Sequence, residues 1–134
     1  MSAAHDSAGY DDVGYDTALL VVRDDGTLPR RQVEPWLRDR LDGRPEHDVL
    51  RVRLIVAELL DNAQRHGWPR YVVELVLDRR TGVLTIRFRN RTPERVVGWA
   101  PGAGLSIVEA LSEQWGFVAM RSSTTVWVKV RFDE

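Results

Sequence analysis

The strongest hydrophobic pattern lies between positions 45 and 67. Val52, Ile55, Val56, Leu59 and Ala63 recur at helical spacing and form one apolar stripe. Pro45 and Asp48 mark the opening of this helix, and Gly67 with Pro69 marks its end. A second helix is predicted from Leu28 to Leu41, where Val33, Trp36, Leu37 and Leu41 share a face and Gly43 stops the pattern. Pro35 is then expected in the first turn or at a kink. Gly104 to Gln114 predicts a third helix, with Leu105, Val108 and either Leu111 or Ile107 facing inward.

Elsewhere the period shortens to two. Tyr71–Asp78 and Val83–Arg89 alternate as strands joined by the turn Arg79-Arg80-Thr81-Gly82. Gly116–Arg121 and Thr125–Phe132 predict a closing hairpin in which Val126, Val128, Val130 and Phe132 share one face. Thr17–Arg23 is a short strand closed by Asp24-Asp25-Gly26, and Asn90–Ala103 reads as a loop expected to act as a mobile lid. The order is βααββαββ, without internal repeats. It predicts a two-layer α/β sandwich, with a mixed sheet of about five strands and the helices on one face.

At 134 residues and 15.3 kDa the chain has room for one domain, expected over residues 17–134. Residues 1–16 carry Asp6, Asp11, Asp12 and Asp16 and no Lys or Arg, and read as a flexible acidic tail. No apolar run approaches the roughly 18 residues that cross a bilayer, and the start carries no secretory pattern. Cysteine is absent, which excludes disulfides, thiolate metal sites and cysteine nucleophiles. A cytoplasmic protein is expected. A net charge of −1 disfavours a strongly basic nucleic-acid binder, so neither nucleic acid nor membrane is an expected partner.

Candidate chemistry gathers on the long helix. Glu58, Asn62, Arg65 and His66 fall within about 100° of arc, Arg51 lies two turns earlier, and Asp61 points elsewhere. Any surface helix has a polar face, so the neighbourhood matters. The segment Pro101-Gly102-Ala103-Gly104-Leu105-Ser106-Ile107-Val108 opens the third helix, and glycines at a helix start let backbone approach a phosphate. It lacks the lysine ending of a P-loop. The three histidines are too scattered for a metal site, and no serine sits in a nucleophile elbow. Of five tryptophans, Trp68 and Trp99 fall in turn or loop positions where they would face a protein partner.

Glu58-Leu59-Leu60-Asp61-Asn62-Ala63-Gln64-Arg65-His66 resembles the asparagine box of the GHKL superfamily of ATPases and histidine kinases. Gly102-Ala103-Gly104-Leu105-Ser106-Ile107-Val108 resembles its second glycine box, and Thr124-Thr125-Val126-Trp127 is similar to the final strand of its small bacterial branch, the anti-sigma factors that are serine protein kinases. The resemblance covers residues 17–132 and implies a Bergerat-type ATP-binding, histidine kinase-like fold. It implies that Asn62 ligates Mg²⁺ bound to ATP, that Glu58 is the general base, and that Arg65 and His66 lie near the phosphates. Gly102, Gly104 and the N–H of Leu105 would hold phosphate oxygens, and Thr125 would turn its hydroxyl toward adenine. The implied partners are a sigma factor and an anti-sigma factor antagonist, with a homodimer common in this branch.

The first glycine box departs from the pattern. Where an aspartate followed by glycines is expected, the chain reads Asn90-Arg91-Thr92-Pro93. A neutral acceptor contributes ~0.5–1.5 kcal/mol against ~1.5–3 for a charged one, a loss of about tenfold in adenine affinity. Two functions therefore stay open: an ATP-binding regulator of transcription with serine kinase activity, or an interaction module on the same fold that has lost nucleotide turnover.

Overall fold

Helix α2 (Glu46–His66) organises the molecule, because its apolar stripe is the widest surface the sequence must cover. In the computed structural model, which describes residues 5–10, 14–66, 68–91 and 105–132, Val52, Ile55, Val56, Leu59 and Ala63 are all buried against a sheet. For residues 5–10, 66, 68 and 69 the description is of backbone alone. Helix α1 (Pro29–Arg40) packs beside α2 through Val33, Trp36 and Leu37, and α3 (Ser106–Leu111) packs against α2 as well. Pro35 sits inside α1 on its exposed side and does not end it. The lost hydrogen bond there falls on the solvent side, where water can satisfy the freed carbonyl.

The strands are β1 (His5–Tyr10), β2 (Tyr15–Val22), β3 (Trp68–Asp78), β4 (Val83–Arg91), β5 (Gln114–Ala119) and β6 (Ser123–Arg131). From β2 onward the order is βααββαββ, as the sequence predicts, and the architecture is α+β with the helices packed on the sheet. Leu20 and Val22, Val73 and Leu75, Leu84, Ile86 and Phe88, and Val126, Val128 and Val130 alternate inward to meet the helices.

Four expectations need correction. The sheet is not mixed: in the order β1-β2-β3-β4-β6-β5 every neighbouring pair is antiparallel. The β5–β6 hairpin folds back so that β6 lands beside β4, which reverses the direction a simple crossover would give. Second, residues 1–16 are not merely a tail. His5–Tyr10 pairs with β2, and Tyr15 and Asp16 already belong to β2. This pairing occupies main-chain groups that the outer edge of β2 would otherwise leave open. Third, Asn90 and Arg91 are the last residues of β4 and not the start of a loop. Fourth, the third helix is shorter than predicted. It ends at Leu111, and Gln114 already pairs with Lys129 in β5.

Two polar contacts tie α2 to its neighbours, one to the sheet and one to α1. Asp48 is fully buried and pairs with Arg51 at 2.8 Å, and Arg51 also donates to the Arg131 carbonyl at 2.6 Å. Arg53 reaches Glu34 of α1 at 2.9 Å. On the sheet face away from the helices, Trp127 lies over Gly116. A Cβ at Gly116 would stand 2.6 Å from Cζ2 of the indole, closer than packed atoms tolerate. Gly116→Ala is therefore expected to cost about 1–3 kcal/mol through forced repacking, read as a lower urea midpoint at unchanged slope.

Candidate functional site

Two pairing registers bring the candidate residues to one end of the molecule. Chain leaving α2 enters β3 at Trp68, which pairs with Arg91, and Arg91 pairs in turn with Ser123. The C-terminal half of α2, the end of β4 and the start of β6 therefore meet there. Glu58 and Asn62 are one turn apart on the flank of α2 beside the apolar stripe. Glu58 is half-buried and Asn62 is 9% exposed. Among the described residues neither makes a hydrogen bond or ion pair.

Asn90 is 5% exposed and points to the helix side of the sheet, two positions beyond the core residue Phe88. Its Nδ2 donates to the Arg91 carbonyl at 3.2 Å, which leaves Oδ1 as the acceptor. Directly opposite stands Thr124, buried to 1%. Thr125 is displaced from the predicted role. It pairs with Arg89 on the face away from the helices, so its hydroxyl cannot share a pocket with Asn90. The threonine on the helix side is Thr124. Counting back in twos from Val130, Val128 and Val126 reaches it, so the strand alternation already carried the signal.

The remaining candidates divide. Arg65 is exposed and held by Asp61 at 2.7 Å, one turn earlier on α2. His66 is the last residue of α2, with only its backbone described. Leu105 is buried to 1% at the start of α3, which carries no side-chain cap. Gly102, Gly104, Trp99 and residues 92–103 of the lid expected over Asn90–Ala103 lie outside the described residues, as does the side chain of Trp68. Nearby on β3, Tyr71 stacks at 5.7 Å from Phe88. Burial first, and the Asp24 carboxylate second, push its hydroxyl above the usual tyrosine range, so it stays a neutral donor. A separate groove of about 210 Å³ opens between α1 and α2, on the other flank of α2; Asp61 lines it, but Glu58, Asn62 and Asn90 do not.

Among the described residues no cluster of three or more His, Asp or Glu side chains is placed to hold a metal. A divalent ion at this end would rest on Asn62 together with oxygens of a bound ligand and water, an arrangement that suits Mg²⁺. No helix among the described residues is long and apolar enough to cross a membrane. No protein-family model matches the chain, and no curated protein matches it.

Proposed function

We propose that the chain is a cytoplasmic, ATP-binding regulatory protein similar to the anti-sigma-factor serine kinases, acting on transcription by exchanging protein partners. Its partners in this reading are a sigma factor and a small antagonist protein that carries the acceptor serine. The observation that carries the reading is the pair Glu58 and Asn62, without protein partners among the described residues, on the half of α2 that leads to the end of the molecule holding the buried Asn90–Thr124 pair. A largely buried amide, a half-buried carboxylate one turn away and an oriented acceptor at the same end of the molecule are the groups such a site needs.

Bound Mg²⁺ with ATP would supply the transferable phosphoryl group. Asn62 offers the metal a neutral oxygen, and the Asn90 Oδ1 accepts from the adenine amino group with Thr124 beside it. Glu58 takes the proton from the attacking hydroxyl. Arg65 reaches the phosphates by releasing Asp61. That exchange is cheap, because an exposed ion pair is worth only about 0–1 kcal/mol. The resemblance adds His66, Gly102, Gly104 and the Leu105 N–H on the phosphate side. A fold of the Bergerat type is part of the same proposal.

The second reading, an interaction module without turnover, is favoured by Asn90 itself, since the charged acceptor of the adenine amino group is missing. Calorimetric titration with ATP, with and without Mg²⁺, separates the two. The wild type is expected to bind, and Asn62→Ala is expected to lose about tenfold or more of the affinity in Mg²⁺ alone, the equivalent of one strong polar contact. Equal affinity in both proteins would remove Asn62 from the site. No binding by the wild type would leave the module.

A further inference from the structure

The geometry points to a docking surface for an acidic protein segment on the sheet face opposite the helices, centred on Trp127. This surface does not depend on the nucleotide reading, because Glu58, Asn62 and Asn90 all lie on the other side of the sheet. Alternation along β4 puts Arg87, Arg89 and Arg91 on the open face, about 7 Å from one to the next. On β6 the same face carries Thr125, Trp127 and Lys129, with Arg87 directly opposite Trp127 and Arg89 opposite Thr125. Val118 of β5, half exposed, completes the surface beside Thr125.

Trp127 is held flat. Its ring covers Gly116, where no side chain intrudes, and the Lys129 amine stands 6.0 Å from the ring centroid. A rigid indole loses little entropy when something packs on it, which is why tryptophan and arginine anchor interfaces. The cations are available as well. Arg89 is exposed and makes no ion pair or hydrogen bond among the described residues, and Lys129 meets only the indole. Arg87 is engaged by Glu74 at 3.1 Å, but that pair is largely exposed and can be exchanged for a partner carboxylate. The whole chain has a net charge of −1, so this concentration of cations on one face is local.

Charge decides the occupant. A second copy stacked on this face would oppose arginines with arginines. A nucleic acid needs a longer run of available cations than Arg89 and Lys129 supply, because Glu74 and Glu113 already engage Arg87 and Arg131 on this face, whereas a short acidic segment needs only those two. An extended protein segment with carboxylates four residues apart, about 13 Å, around one apolar side chain on the same face satisfies Arg89 and Lys129 and packs on the indole.

The test is a ¹⁵N–¹H NMR titration of the full chain. Three probes are compared: a twelve-residue peptide alternating Glu with Val around a central Leu, the same peptide with Lys for Glu, and a dodecamer of thymidine. The acidic peptide is expected to shift the Trp127 indole N–H and the amides of Arg89, Thr125 and Val118. Those shifts should fade in high salt, and R89E/K129E should weaken binding about tenfold or more. The surface is overturned if the acidic peptide shifts nothing, shifts residues elsewhere, or binds the charge-reversed protein equally. Equal or stronger shifts at these residues with the thymidine dodecamer would assign the surface to nucleic acid. Self-association in sedimentation that W127A abolishes would assign it to a second copy. Both variants lie on the surface, and unchanged circular dichroism checks that they fold.

Discussion

Glu58→Gln is expected to keep nucleotide affinity within about twofold of the wild type while phosphorylation of a partner serine falls about 10²–10⁴-fold. The two carboxylate oxygens and the amide have the same size and reach, so binding that depends on Asn62, Asn90 and Thr124 is unaffected. What the amide cannot do is accept a proton. In the proposed transfer the serine oxygen forms a bond to the γ-phosphorus as the bond to the ADP oxygen breaks, and the serine proton passes to Glu58. The half-buried position of Glu58, with no cation bound to it among the described residues, leaves the carboxylate free for that task. The assay is transfer from ATP to any candidate antagonist protein that carries an acceptor serine, run with calorimetry on the same samples. Equal transfer by both proteins would remove Glu58 as the base. No transfer by the wild type, with partner binding intact in both, would leave the interaction module.

The second large effect is on stability. Phe88→Ala is expected to lower the unfolding free energy by about 3–5 kcal/mol, a large share of the roughly 5–15 kcal/mol that holds a domain of this size together. Phe88 is buried to 2%, stands across from Val126, and packs its ring against Tyr71. Removing it deletes most of an aromatic side chain at a place where sheet and helix cannot both close in. Because Phe88 lies two residues before Asn90 on the same face, the cavity would also loosen the floor of the Asn90–Thr124 pair. Val118→Ala serves as a control. Half exposed on an edge strand, it should change stability by less than about 0.5 kcal/mol. Urea denaturation measures both, and similar midpoints for the two variants would contradict the core position of Phe88.

How much of this was legible in the sequence follows from the range of each interaction. The stripe from Val52 to Ala63 and the alternation from Val126 to Phe132 repeat a local geometry, and all of these residues are buried as their spacing predicts. The β3–β4 hairpin was equally readable, since Gly82, at φ 73°, supplies the left-handed backbone its turn requires. Glu58 and Asn62 were legible as neighbours, because four residues on a helix are one turn. The length of α3 was not, because Gln114 pairs with Lys129 fifteen residues away and that bond competes with helix.

By itself the chain determined its element order from β2 onward, the inward-facing residues of its main helix and strands, and the adjacency of Glu58 and Asn62, all consequences of bonds spanning a few residues. Only the tertiary structure decided that every strand pair is antiparallel, that His5–Tyr10 adds an edge strand, and that Thr124 and not Thr125 stands opposite Asn90. It alone placed Asn62 at the same end as that pair and laid Trp127 over Gly116. These facts depend on register, and register is set when distant segments close on a shared core. A shift of one residue moves every side chain of a strand to the opposite face, and no local pattern records which shift the packed core accepts.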